Sequence, residues 1–359
     1  MAEPLRVAHP PLATLAKCLQ NLNDPVPKRM RAIYYLRLIN NTEAIEVLSQ
    51  ALLDRRNSQL VRHELAYVLG QMQKSEACNV LQTVLDDGSE DTMVRHECAE
   101  ALGAIGDIGA VPTLERGTKP VAGQDGEEVN PTEVRETCTI ALDLIRWKVA
   151  GRQGEAPLYC ACMSPYTSVD PAPPNETDLM STADLEKQLM DESRSLFDRY
   201  RAMFSLRNRV PGTVNAGASS NSTRCAANPF SCVTLLSVYL PWNAGGDSEA
   251  VAALGRALVN DKTSVLFRHE VAYVLGQTQS PVGLAALRES LSRKGEHAMV
   301  RHEAAEALGA SSQCGVDTQV AGMQLIRHMH VLMKVPSLES GTCVVKFWSS
   351  SAMTRTSAW

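Results

Sequence analysis

The chain has 359 residues, enough for two or three domains or one extended repeat array, and its 44% hydrophobic and 21% charged residues exclude wholesale disorder. A net charge of -5 argues against a general nucleic-acid binder and leaves only a local basic patch open. No apolar run reaches the roughly 18–20 residues of a membrane helix. The N-terminal stretch MAEPLRVAHPPLATLAKCLQ lacks the apolar core of a secretory leader. Ten Cys without a CxxC pair fit reduced thiols in the cytoplasm rather than a disulfide scaffold or structural zinc.

Aromatic residues are only 5% of the chain, and Ala and Leu abound, as in packed helices. In chain order, a first repeat is degenerate: Arg29-Met30-Arg31-Ala32-Ile33-Tyr34-Tyr35-Leu36-Arg37. After 33 residues it returns as Arg62-His63-Glu64-Leu65-Ala66-Tyr67-Val68-Leu69-Gly70, and after 33 more as Arg95-His96-Glu97-Cys98-Ala99-Glu100-Ala101-Leu102-Gly103. A fourth copy at Val134-Arg135-Glu136 lies 40 residues on, so the Gly- and acid-rich stretch 117–130 holds a loop insertion. The apolar spacing of Val61, Leu65, Val68 and Leu69 predicts one helix per copy. The glycines at 70, 103, 276 and 309 fall where a glycine ends a helix. Segments such as Ala77–Leu85 and Val282–Leu291 supply a second helix per repeat. Stacked helix pairs of this length make an all-α solenoid, and V-R-x-x-A-A-x-A-L-G resembles HEAT-like repeats.

The chain then reads as two pseudo-symmetric halves: a first over 1–150, a linker over 151–191 with a short helix near Asp184–Met190, and a second over 192–310. The second half opens with the degenerate copy Arg199-Tyr200-Arg201-Ala202-Met203-Phe204-Ser205-Leu206-Arg207. An insertion over 209–243 follows, and the pattern resumes at Arg268-His269-Glu270 and Arg301-His302-Glu303, again 33 residues apart. The tail over 311–359 carries no further copy and is expected to be poorly ordered, as is the insertion.

Four of the eight His occupy one equivalent repeat position, each followed by Glu, whereas the outer copies have Met30, Glu136 and Tyr200 there. The fold therefore does not demand His at this position. Neighbouring repeats stack at about 10 Å, so equivalent positions face the same side and lie near one another. Two His and up to two carboxylates per half can converge on a cation, and the two halves double the set. Imidazole and carboxylate without thiolate suit iron, manganese or zinc. Two His with one carboxylate is the ligand set of non-haem Fe(II) sites that activate oxygen. A His₂Glu zinc hydrolase is the chemical competitor, although the H-E-x-x-H spacing is missing. Either Glu of each half could serve by spacing alone. Duplicated helix surface and a non-catalytic protein-binding scaffold are the bland alternatives, and the altered second half adds the alternative of an inactive form. Cys160-Ala161-Cys162 and the N-x-S/T matches carry no assignment.

The contexts R-H-E-x-A-Y-V-L-G and M-V-R-H-E-x-A-E-A-L-G, with Ser168-Val169-Asp170-Pro171-Ala172-Pro173-Pro174, resemble the deoxyhypusine hydroxylase family. The resemblance covers about 11–208 and 247–310. It implies a di-iron monooxygenase that uses two Fe(II) ions and O₂ as co-substrate. The substrate would be translation initiation factor 5A carrying deoxyhypusine, its aminobutyl arm hydroxylated to hypusine by oxygen activated between the ions. His63, His96 and Glu97 would hold one iron, and His269, His302 and Glu303 the other. Glu64 and Glu270 would be the catalytic, substrate-facing carboxylates, with Met93, Met299, Gly70 and Gly276 as further substrate contacts. For these last four, packing at helix starts and ends is the alternative. A cytoplasmic monomer without nucleic-acid or membrane partners is expected.

Overall fold

A computed structural model describes residues 10–121, 128–152, 166, 168–175, 180–209 and 246–311. Most of the insertion and nearly all of the tail lie outside the described residues, as do Cys160, Cys162, His328 and His330. Two compact units divide the chain, Met1–Arg146 and Trp147–Trp359.

The first unit is a stack of helical hairpins. Its helices are α1 (Leu12–Gln20), α2 (Val26–Ile39), α3 (Thr42–Leu53), α4 (Gln59–Gln71), α5 (Cys78–Asp86), α6 (Thr92–Ile105), α7 (Val111–Gly117) and the start of α8 (Thr132–Arg152). Side chains at the helix starts satisfy backbone N–H groups that have no partner within the helix. Asn41 accepts from Ala44 N, Ser58 from Val61 N and Asp91 from Met93 N. The buried residues of α4 include Val61, Leu65, Val68 and Leu69, the predicted apolar face, and also Leu60.

The second unit repeats the design with α9 (Thr182–Met190), α10 (Leu196–Arg207), α11 (Ser248–Asn260), α12 (Val265–Thr278), α13 (Leu284–Ser292) and α14 (Ala298–Ala310). The short helix expected in the linker is α9. Residues 168–175, part of the segment read as linker, pack on this unit. The buried Arg207 guanidinium donates to both Asp170 carboxylate oxygens, at 2.8 and 2.6 Å, and to Gln277 Oε1 at 2.8 Å. Gln277 in turn donates to Ser168 Oγ at 3.1 Å, and Ala172 is buried. No described helix is long and apolar enough to cross a membrane.

The repeat arginine sets the spacing within and between hairpins. Its Nε–H donates to the carbonyl ten residues earlier, which is the penultimate residue of the preceding helix. The pairs are Arg29–Leu19 (3.1 Å), Arg62–Leu52 (2.7 Å), Arg95–Leu85 (2.9 Å), Arg199–Leu189 (2.8 Å) and Arg301–Leu291 (3.3 Å). These are carbonyls that a helix end leaves without an internal partner. The same guanidinium reaches the loop ahead of the next repeat's second helix. Arg29 donates to Asn57, Arg62 to Glu90 at 2.7 Å, Arg95 to Asn130 at 2.6 Å and Arg199 to Asp261 at 2.6 Å. Arg268 keeps only the second link, to Glu296 at 2.8 Å.

The glycines correct the sequence reading. Gly70, Gly103, Gly276 and Gly309 lie inside their helices; α6 instead ends on Gly106, at φ 74°. A Cβ on Gly70 would sit 2.6 Å from Ala101 Cα, one on Gly103 3.0 Å from Ala141 Cα, and one on Gly276 2.9 Å from Ala307 Cα. These glycines let successive helices approach. No described atom lies within 4 Å of such a Cβ on Gly309.

Candidate metal centre

The four His-Glu pairs sit in the first two turns of α4, α6, α12 and α14. Three of the pairs follow an arginine that ties their helix to the preceding one, Arg62, Arg95 and Arg301, while the fourth follows Arg268, which holds Glu296 ahead of α14. All eight side chains are buried.

In the first unit His63 comes from α4, while His96 and Glu97 come from α6. His63 Nε2 stands 3.0 Å from Glu97 Oε2, and the His63 and His96 rings are 5.5 Å apart, tilted by 43°. In the second unit His269 Nε2 stands 3.5 Å from Glu303 Oε2. Each unit therefore brings the His of one repeat to the Glu of the next, and the contact recurs after 206 residues.

Two carboxylates that the sequence reading left unassigned join these groups. His96, Glu97 and Glu100 place one ligand atom each within 4.8 Å of the others, and so do His302, Glu303 and Glu306. His302 Nε2 is 3.2 Å from Glu306 Oε1. The signal lay in the repeat: five residues after the arginine, the later copy of each half has Glu where the earlier has Tyr67 or Tyr273. Among the described residues, Glu64 and Glu270 enter neither group. Glu64 Oε1 instead accepts a hydrogen bond from the phenol of Tyr34 on α2. Met93 is half-buried and Met299 buried, both in the first turn of their helices, where Met93 N donates to Asp91 and Met299 N to His297 Nδ1.

The donor set fits a divalent cation that prefers nitrogen and oxygen. An imidazolium–carboxylate pair would explain the His63–Glu97 contact alone. Charging His96 as well would set two like charges side by side out of water, which is strongly unfavourable. One cation served by two neutral imidazoles and a carboxylate removes that conflict. Among the described residues, Cys98 enters neither of the groups around His96 and His302. The groups thus offer oxygen and nitrogen donors that could hold a metal such as iron, manganese or zinc.

Residues 12–92 and 51–122 match HEAT repeats. The chain is 40% identical over 305 residues to deoxyhypusine hydroxylase of Drosophila pseudoobscura pseudoobscura, covering 85% of this chain and 82% of that one. It is 39% identical to deoxyhypusine hydroxylase of Danio rerio (83% and 81% covered) and 39% identical to that of Mus musculus (83% and 80% covered). The solved structure of human deoxyhypusine hydroxylase in complex with glycerol matches with a TM-score of 0.66 and 36% identity over 91% of this chain and 90% of that one. These relatives give no support to a non-catalytic scaffold.

Proposed function

The chain belongs to the deoxyhypusine hydroxylase family, and from that premise we propose that it hydroxylates the deoxyhypusine side chain of translation initiation factor 5A, using O₂ and two ferrous ions. One oxygen atom enters a C–H bond of the aminobutyl arm as a hydroxyl. The other leaves as water, with two electrons and two protons from an external reductant. Bound iron supplies the redox chemistry that O₂ activation needs.

His63, His96 and Glu97 hold one ion, and His269, His302 and Glu303 the other. The observation that carries this reading is the approach of His63 to Glu97, repeated by His269 and Glu303. Glu64 and Glu270, kept apart from the ligand groups, receive the amines of the substrate. A buried carboxylate gains most from a charged partner, so these two positions favour a long cationic arm over a neutral one. Met93 and Met299 flank the arm with apolar, adaptable surface. Gly70 and Gly276 have a sufficient role in helix packing. On this reading the protein works as a cytoplasmic monomer on a protein substrate.

The test is to measure metal bound per chain in purified protein, and then supply isotopically heavy O₂, a reductant and the deoxyhypusine-bearing factor. One heavy oxygen atom should appear in the factor. Iron-loaded protein that incorporates none would refute the proposal, and zinc in place of iron would revive the hydrolase alternative.

A further inference from the structure

The two halves match at most functional positions, but not at one. Five residues after each repeat arginine the first half has Tyr34, Tyr67 and Glu100, and the second has Phe204, Tyr273 and Glu306. The second and third copies agree, and only the first differs, tyrosine against phenylalanine. Tyr34 is half-buried on α2, and its phenol donates to Oε1 of Glu64, thirty residues on, on α4. Phe204 is fully buried, with other neighbours. The Arg207 guanidinium carbon lies 4.8 Å from its ring centroid, and Tyr200 packs on its edge at 6.4 Å.

We propose that Tyr34 is a positioning residue for Glu64: its phenol fixes the carboxylate that takes the substrate's amine. The proposal rests on the reading of Glu64 as a substrate carboxylate. Glu64 is only 3% exposed, and a carboxylate so buried needs donors to hold it in one orientation. A lysine or arginine at position 34 would supply donors but would also cancel the charge and compete with the substrate. A phenol supplies one directed hydrogen bond and leaves the negative charge for an incoming ammonium group. The donor comes from the middle of a 14-residue helix, so it is placed by rigid structure rather than by a loop. At the matching position of Glu270's half the chain has Phe204, which has no phenol.

Tyr34→Phe removes only the hydroxyl and installs the residue that the second half already accommodates at this position. It is compared with Glu64→Gln and the unaltered protein, all as full chains loaded with iron. The probe is a peptide carrying N-(4-aminobutyl)lysine, its affinity read by calorimetry, with bound iron and thermal melting measured in parallel. Tyr34→Phe should weaken peptide binding about ten-fold, the equivalent of one hydrogen bond to a charged group. Iron content and melting should stay as in the unaltered protein, and KM should rise with little change in kcat. Unaltered affinity in Tyr34→Phe, with binding lost in Glu64→Gln, would overturn the role of Tyr34 and leave that of Glu64 standing. Unaltered affinity in Glu64→Gln would overturn the reading of Glu64 itself, and this proposal with it. A Tyr34→Phe protein that loses iron or melts early in proportion to its lost affinity would make Tyr34 a merely structural residue.

Discussion

Replacing Gly70 with Ala should destabilise the first unit and loosen its metal site together. The added Cβ would stand 2.6 Å from Ala101 Cα and 2.7 Å from Ala101 Cβ, where carbon atoms settle at about 3.5–4.0 Å. The obstacle includes backbone, which cannot rotate aside as a side-chain end could, so α4 and α6 must part by about 1 Å. Overpacking of this kind costs up to about 3 kcal/mol, and the better helix propensity of Ala returns about 1. A net loss of about 2 kcal/mol should lower the melting temperature by roughly 4–8 °C. Because His63 rides on α4 and Glu97 on α6, their 3.0 Å approach crosses the same interface, and iron affinity should fall with stability. Gly309→Ala is the internal control. No described atom lies within 4 Å of its added Cβ, so it should be neutral or stabilise by up to about 1 kcal/mol. Thermal melts and metal titration of both variants decide the matter. A Gly70→Ala protein that melts with the unaltered one and keeps its iron, yet binds substrate poorly, would refute the packing argument and restore Gly70 as a substrate contact.

Glu97→Ala and Glu303→Ala should lose iron as severely as His63→Ala and His269→Ala, whereas Glu64→Ala and Glu270→Ala should keep iron and lose substrate affinity; Glu270→Ala protein as iron-poor as His269→Ala would reverse the division of roles. The second unit should also be acid-sensitive through Asp261. Burial alone would push its carboxyl up, but hydrogen bonds from the Arg199 side chain and the Ser264 backbone N–H hold it below the ordinary 3.8. A carboxyl depressed on folding contributes stability above its unfolded value, and that contribution is lost as pH falls through the folded value. Melting midpoints should therefore drop as pH falls below about 4, and Asp261→Asn should flatten that slope while costing about 3–5 kcal/mol near neutrality, since it breaks a buried ion pair. Parallel acid profiles for the two proteins would show that Asp261 is not the group responsible.

The periodic parts of this protein were legible because stacking repeats forces equivalent residues into equivalent places. The step of 33 residues predicted both the helices and the convergence of His63 with His96. What the repeat did not reveal are partners that leave no mark in sequence. Main-chain carbonyls such as Leu52 and Leu85 accept from arginines, but any residue type could carry them. The glycines misled for a related reason. A glycine near the end of an apolar run looks like a helix terminator, and only the neighbouring helix, with Ala101 or Ala307 at closest approach, reveals its packing role. The stretch 168–175 was read as linker because it has few core residues. Its anchors, the buried cation Arg207 and Gln277, lie far along the chain. Glu100 and Glu306 were visible as copies, yet a glutamate on a helix needs no special explanation until its oxygen is found beside an imidazole.

The same step also explains why the division between iron and substrate carboxylates could not be read from spacing. Within one copy the two functional residues are adjacent, so they point to different sides of the helix, and sequence gives no preference between neighbours. In the first unit the arginine before the pair sets where each glutamate lands. Arg62 ties α4 to the end of α3 and reaches forward to Glu90, at the loop from which α6 starts. That double link fixes the start of α6 against α4, and Glu97, seven residues after Glu90, then meets His63 from the earlier repeat. Glu64, one step earlier in the stack, meets Tyr34 of α2: each of these carboxylates looks back to the repeat before its own, though not to the same position in it. What it finds there depends on the copy. In the middle repeats it finds the His of a repeat that has one. At the outer edge the preceding copy has Met30 in place of His, and Glu64 accepts from the phenol of Tyr34. On the proposed reading, the absence of His from the outer copies is thus what leaves one of two equivalent glutamates to the substrate rather than to the metal.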